Sequence, residues 1–428
     1  MGKSSSKHAK GKSSKKKHAS ENKDSAQKSP EDYPPTTNTS AEPPRAETPQ
    51  SNHGASQSEG VLDETRAAGT DVQRGNVEPQ MPLEDLEPAV VIDIGSYSCK
   101  YGLAGESYPA GDVRTIVGRH QQNEDSYIGI DALNKRSVLD ISYPVERGLV
   151  KNWDDMETVW EFIFERKLRV DPNTRPVVLT EPVKNPKANR EKMIEIMFEK
   201  FEVPAFYLVK QSMSALFVSE IMTGIVIDVG DGVTDIVPIN NGVVIDGSVR
   251  RLELAGRDIT EYMMKSPAVR GEKITHEIAE TMKKSTCEVV ADFDEVTRLQ
   301  REGQDVHHLY ATEALFQPSI FGRNHPGIHA ATIDSIMASG EGTRDNVGAN
   351  VVLVGGSTLF RGFHDRLERE LMELAPPTMP LTLPDRQDRE TIVWSGASLF
   401  ASRPDFKQHA IRSQEYLEVG PEIFHRKR

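Results

Sequence analysis

The amino-acid sequence predicts an α/β body, long enough for two lobes, in which two hairpins can face each other, and three observations carry that prediction. A strand ending in aspartate, followed by a glycine-containing turn, occurs twice, around Asp93 and again around Asp228. A third turn, Gly355 and Gly356, separates an apolar strand from a helix-period segment. Near Ala89 the texture changes from polar and proline-rich to short β-branched runs and apolar helix faces, which leaves a body of about 340 residues, long enough for two lobes.

The chain ahead of that body is of a different kind. Residues 1–20 hold seven lysines (Lys3, Lys7, Lys10, Lys12, Lys15, Lys16 and Lys17) and no acid. Residues 21–87 hold 14 acids against five basic residues, with prolines at 30, 34, 35, 43, 44, 49, 79 and 82. Through residue 80 the only large apolar side chains are Met1, Tyr33, Val61, Leu62, Val72 and Val77. These are too few to offset an ordering entropy of about 1–2 kcal/mol per residue, so 1–87 is expected to be a disordered tail, polybasic at 1–20 and an acidic Pro-rich linker at 21–87. The whole chain has 52 Lys or Arg, 65 Asp or Glu and a net charge of -13. Two lone cysteines, Cys99 and Cys287, exclude a disulfide framework and a zinc module. No run approaches the roughly 18–20 apolar residues of a membrane span and no apolar signal core begins the chain, so an intracellular protein is expected.

The first hairpin runs from the apolar strand Ala89 to Ile94, broken only by Asp93, through Gly95 and Ser96 to a returning strand at Cys99 to Ala104. The second runs from Gly224 to Asp228, through Gly230, Asp231 and Gly232, and back along Thr234 to Ile239. One Asp-x-Gly is an ordinary turn signal, but the duplication points to a common use. Glycines let backbone N–H groups approach phosphate oxygens, and Asp93 and Asp228 can hold a hydrated magnesium ion between two facing hairpins. The third turn follows the strand Asn350 to Val354 and precedes a helix whose Phe363, Leu367, Leu371 and Leu374 fall at 3.6-residue spacing, a ligand-facing arrangement in α/β proteins.

From about Val90 to Arg428 the chain resembles the actin family. The resemblance rests on Ser142 to Trp160 (SYPVERGLVKNWDDMETVW), Leu179 to Tyr207 (LTEPVKNPKANREKMIEIMFEKFEVPAFY), Gly224 to Pro238 (GIVIDVGDGVTDIVP), Leu254 to Lys265 (LAGRDITEYMMK) and Gly420 to Lys427 (GPEIFHRK). It implies an actin-like ATPase fold: duplicated ribonuclease H-like lobes, each a five-stranded mixed sheet with flanking helices, around a cleft that binds ATP or ADP with Mg2+. The first lobe is then expected at 88–222 and the second at 223–428, with a shortened upper subdomain and residues from about 392 to 428 returning to the first lobe. Carried over position by position, the cofactor-binding candidates are Asp93, Gly95, Ser96, Tyr97 and Lys100 in the first turn and Gly230, Asp231, Gly232 and Val233 in the second. Gly256, toward the ribose, and Lys283 join them, with Gly355, Gly356, Ser357 and Phe360 at the adenosine. Asp93 and Asp228 are the metal residues, acting through water. Gln211, Asp228 and Asp235 are the catalytic candidates, Gln211 at the position that orients the attacking water. Read without the resemblance, Lys100 could be a solvated edge charge and Gln211 a helix-surface residue.

The departures from the family pattern bear on activity. Tyr97 stands where most actins have glycine, and nuclear members of the family carry a similar Gly-Ser-Tyr turn. Asp235 replaces a histidine that helps place the catalytic water, so the chain is expected to be at most a slow ATPase. Lys284 replaces a glutamate and Glu390 a lysine; the two reversals either pair with each other or signal relaxed nucleotide recognition. A short polar stretch, His120 to Glu124, replaces a long docking loop, and the span from Lys265 to Leu315 is shorter than in actin. Both changes argue against conventional filaments, whose contacts need on the order of 1,000 Å² of complementary surface.

The tail carries a second signal. Met-Gly-Lys-Ser-Ser-Ser fits N-myristoylation at Gly2, and the patch Lys3 to Lys17 would add attraction to an anionic membrane surface. The competing reading is a nuclear-import patch at Lys10 to His18. Sequence-specific nucleic-acid binding is not expected, because the patch lacks interleaved arginine or aromatic residues. The expectation is a cytoplasmic or cytoskeletal scaffold, membrane-associated through its tail and working with other proteins such as actin or actin-related subunits; the alternative is a nuclear subunit of a chromatin-remodelling type assembly.

Overall fold

A computed structural model describes residues 86–120, 125–265 and 274–426. The expectations for the tail, for Gly2 and for Lys3 to Lys17 lie outside these residues, as do parts of both shortened segments.

The strands begin with a meander, β1 (Val90–Ile94), β2 (Ser98–Leu103) and β3 (Gly111–Arg114). A small sheet follows, β4 (Val117–His120), β5 (Ser126–Ile128) and β6 (Leu139–Ser142), in the order β5-β4-β6. A ribbon of β7 (Val145–Glu146) and β8 (Leu149–Val150) leads to β9 (Val177–Glu181) and β10 (Ala205–Lys210). The second half supplies β11 (Gly224–Val229), β12 (Thr234–Asn240), β13 (Val243–Val244), β14 (Arg250–Leu252) and β15 (Val351–Val354), and the chain ends its strands at β16 (Ile411–Arg412).

Two mixed sheets result. The first has the order β16-β10-β9-β1-β2-β3; the second runs β13-β12-β11-β15, with β14 also paired to β12. The second has the five strands expected, whereas the first has six. The additional strand is β16, which comes from the end of the chain and pairs antiparallel with the edge of β10, Phe206 opposite Ile411. In both sheets an antiparallel hairpin lies beside parallel strands: β1 pairs β2 and β9, and β11 pairs β12 and β15. Parallel strands must be covered on both faces, and β1, β9 and β15 are buried at every position.

The outer faces carry the two largest cores, one around Trp160, Phe164 and Phe206, the other around Ile259, Phe363, Leu367 and Leu371. Three of the four helix-period residues of Phe363–Leu374 are thus buried; Leu374, in the last turn, is 46% exposed. The inner faces share a layer of two helices, Gln211–Val218 and Ile392–Ala401. Trp394, Ala397 and Phe400 pack on Val91, Val178 and Val209 of the first sheet. Ile392, Val393, Ala215 and Leu216 pack on Val226, Val352 and Val354 of the second. The helices approach so closely at Gly396 that a Cβ there would sit 1.7 Å from the Ser214 carbonyl oxygen. This shared layer brings the ends of β1, β11 and β15 to one side of the molecule.

Candidate functional site

Both aspartate hairpins form as the sequence predicts. In the first, Asp93 lies opposite Lys100 across β1 and β2. Lys100 is not an edge charge, because β3 pairs outside β2; its side chain is 15% exposed and its Nζ lies 3.9 Å from Asp93 Oδ2. In the second, Asp228 lies opposite Asp235 across β11 and β12. The third turn follows β15, where Gly355 takes φ of 93°, the left-handed region that glycine tolerates, and a Cβ there would meet the Val229 carbonyl oxygen at 2.4 Å.

The three turns open into one cavity of about 560 Å³, within the usual size of a small-molecule site. Asp93, Gly95, Ser96, Tyr97 and Lys100 line one side, and Gly230, Asp231, Gly232 and Val233 the other. Lys283, Gly355, Gly356, Ser357 and Phe360 continue the wall, and Gln211, Asp228 and Asp235 reach it from behind. Gly256 is the exception among the candidates. It stands behind the wall, where its N–H donates to the Gly230 carbonyl at 3.1 Å and its own carbonyl accepts from Lys283 Nζ at 3.0 Å. A side chain there would strike Ser357 Oγ, so Gly256 shapes the wall without facing the cavity.

The charges in the cavity are only partly matched. Asp93 accepts from Thr180 Oγ1 at 2.7 Å and from Gln211 Nε2 at 3.2 Å, and Thr180 Oγ1 in turn accepts from the Ile94 N–H at 3.0 Å. Gln211 opens its helix and also donates to the Ile94 carbonyl at 2.9 Å, so its amide is anchored to the first hairpin and is not a helix-surface residue. Burial, reinforced by the nearby carboxylates of Asp235 and Asp93, pushes the Asp228 carboxyl up to about 7. Asp235 gives both oxygens to Arg251, at 2.7 and 2.6 Å. Asp231 pairs with Arg257 at 3.2 Å. Lys283 is buried, and the cost of desolvating its ammonium lowers its pKa. One of its three protons goes to Gly256, and the group lies on the cavity wall.

These features suit an anionic ligand held with a cation. Lys283 and the glycine turns provide donors, while Asp93 and Asp228 gather negative charge that a divalent ion would neutralise. Among the described residues no three His, Cys, Asp or Glu side chains converge as a metal cage. Mg2+ keeps its waters and uses one or two carboxylates together with phosphate oxygens, a role that Asp93 and Asp228 can fill.

Two sequence expectations are redirected. Tyr97 lines the cavity but sends its hydroxyl out to Glu280, on the helix His276–Thr286, where it also accepts from Lys284 Nζ at 2.7 Å. Lys284 and Glu390 therefore do not pair with each other: Lys284 also bridges to Glu280 at 3.1 Å, whereas Glu390 stands by Gly356. Thr180, Arg251 and Glu280 were not singled out in the sequence. Only Thr180 had a local signal, a hydroxyl at the end of an otherwise apolar strand run.

A family model described as Actin matches residues 84–310 and 272–428, which together cover the body from end to end. Fold and cleft define an α/β protein of the actin-like ATPase type, and the chain belongs to the actin family.

Proposed function

We propose that this chain is an actin-related protein that holds ATP or ADP with Mg2+ between its two lobes and serves as a scaffold component of a multiprotein assembly, turning over nucleotide slowly at most. The observation that carries the reading is the convergence of Asp93, Asp228, Lys283 and three glycine turns on one cavity. Actin-family folds bind a nucleotide with a divalent metal, which adds support. When bound, the nucleotide supplies a polyphosphate and a metal that neutralise opposing charges on the two hairpins. Asp93 and Asp228 would hold the hydrated ion, the Gly95–Ser96 and Gly230–Gly232 turns would offer backbone N–H groups, and Lys283 would offer its spare protons. Slow turnover is the reading supported by the ion pair that engages both Asp235 oxygens and by the anchoring of the Gln211 amide nitrogen, which leaves the Gln211 Oε1 to orient a water.

The deciding experiment denatures purified full-length protein and identifies the released nucleotide. Stoichiometric ATP or ADP in the wild type, absent from the Asp93→Ala, Asp228→Ala double variant, supports the reading; an empty and folded wild type rejects it. The two shortened segments support a poor filament former, tested by sedimentation under actin-polymerising salt. For the cell, the leading reading is cytoplasmic and cytoskeletal, with Gly2 acylated and the lysines on an anionic membrane. Tyr97 favours the second reading, a nuclear actin-related subunit, because its turn is like that of nuclear family members. A Gly2→Ala variant separates them: loss from membranes supports the first, unchanged nuclear enrichment the second.

A further inference from the structure

Four side chains link the two halves of the molecule beside the cavity, reaching toward each other from opposite sides. Tyr97 lies in the turn between β1 and β2 and Arg114 ends β3, both of the first half, and Glu280 and Lys284 lie on the helix His276–Thr286, whose Ala279 packs in the core of the second. The Tyr97 hydroxyl donates to Glu280 and accepts from Lys284, so one phenol links the halves twice. The Arg114 guanidinium lies 3.6 Å from the centre of the Tyr97 ring and reaches Glu280 Oε2 at 3.1 Å. Arg114 and Glu280 are 12% and 7% exposed, so breaking this contact leaves a charge poorly solvated, unlike breaking an ordinary surface pair. Burial would raise the Glu280 pKa, but the Tyr97 hydrogen bond and the Arg114 and Lys284 charges outweigh it and hold the carboxyl below its ordinary value. Arg136 and Glu277 add a more exposed pair one turn earlier on the same helix.

Tyr97 also forms a partition. The cavity of the three turns lies on its inner side; on its outer side is a second cavity of about 520 Å³, bounded by Arg114, Leu133 and Glu280. Glu280 lines the outer cavity alone, whereas Tyr97 lines both. A glycine at 97 would leave the halves without this link.

We propose that Tyr97, gripped by Arg114, Glu280 and Lys284, is the bolt of a cross-cleft clasp that must open before the ligand of the cleft is released. The release part of this proposal rests on the nucleotide reading above; the clasp itself does not. Retention of the ligand is then set by the clasp as well as by contacts to the ligand, and a partner that pulls the His276–Thr286 helix outward would unload the site.

The test uses the full chain with Tyr97→Phe, which keeps the ring under Arg114 and removes the hydroxyl, with Glu280→Gln, which never touches the inner cavity, and with both. Two quantities are read: hydrogen exchange of the 276–286 amides, and release of a fluorescent ATP analogue chased with ATP. Each single variant is expected to speed exchange in that helix and release by about tenfold, the double variant adding little to either, because the contacts form one unit. Unchanged release in both variants overturns the proposal. So does faster release in Tyr97→Phe alone, since that would make Tyr97 a direct ligand contact. If no nucleotide binds, the nucleotide reading fails separately and exchange decides: faster exchange retains the clasp, and unchanged exchange removes it.

Discussion

Arg251 neutralises Asp235 from the neighbouring strand, and the pair is the end of a row that starts at Asp228. Asp228 faces Asp235 across β11 and β12, and Asp235 faces Arg251 across β12 and β14. Like charges opposite one another destabilise a sheet, so the bidentate guanidinium contact is what makes the row tolerable. Removing Arg251 alone, as Arg251→Met, leaves two facing carboxylates in a largely buried position and is expected to cost about 3 kcal/mol. The double variant Asp235→Asn, Arg251→Met should lose clearly less than the sum of the single changes. Denaturant unfolding of the four proteins measures the coupling; additive losses would mean that the pair does not act as a unit.

Gly396 offers a test of the shared helical layer. A Cβ there lies 1.7 Å from the Ser214 carbonyl, against backbone that cannot swing away, so Gly396→Ala must push the Gln211–Val218 and Ile392–Ala401 helices apart. The expected loss is about 3 kcal/mol, at the upper end for overpacking, and because both sheets rest on this layer it should appear as a lower Tm of the whole body. Gly342 has nothing within 4 Å of such a Cβ, and Gly342→Ala should melt with the wild type.

What was legible in the sequence was local. Asp93, Gly95 and Ser96, like Asp228, Gly230 and Gly232, sit within a few residues of each other, and hairpin chemistry alone places them. Where each charge finds its partner was not local. Tyr97 meets Glu280 across 183 positions, and the resemblance to actin speaks for a glycine at that site, not for where a phenol would go. Arg251 reaches Asp235 only through the pairing of β14 with β12, a register that no short pattern encodes. Without the resemblance, an edge charge stays open for Lys100 because the short, polar β3 gives little sign that a strand covers it. Leu374 kept the helical period, yet the period does not say where the core ends.

His329 predicts an acid sensitivity. Its ring packs on Phe316, with centroids 5.8 Å apart, and its Nδ1 is buried without a hydrogen-bond partner. Burial lowers its pKa, against a smaller opposing effect of the Glu370 carboxylate. A histidine whose folded pKa lies below the unfolded value of about 6.5 contributes stability that is present above that value and is lost as pH falls through the folded pKa. Unfolding free energy should therefore decline from pH 7 toward 5, and His329→Leu should flatten part of that decline. Equal slopes in urea titrations of the two proteins would show that the ring is not the group responsible.

The cleft itself should be thermodynamically linked to folding. A ligand bound only by the folded state stabilises it by RT ln(1 + [L]/Kd), about 2.7 kcal/mol at a hundredfold excess over Kd. ATP with Mg2+ should raise the Tm, and EDTA should reverse most of the gain, because Asp93 and Asp228 would again face each other without a cation. The buried ammonium of Lys283 separates binding from this metal effect. In the absence of ligand its desolvation is offset in part by the Gly256 carbonyl and by attraction to Asp231 and Glu280, so Lys283→Met should leave the unliganded protein as stable as the wild type or more so. The same variant should weaken the ATP-dependent rise in Tm while leaving its sensitivity to EDTA intact. A Lys283→Met protein that responded to ATP like the wild type would mean that the lysine serves only to brace Gly256 against the second hairpin.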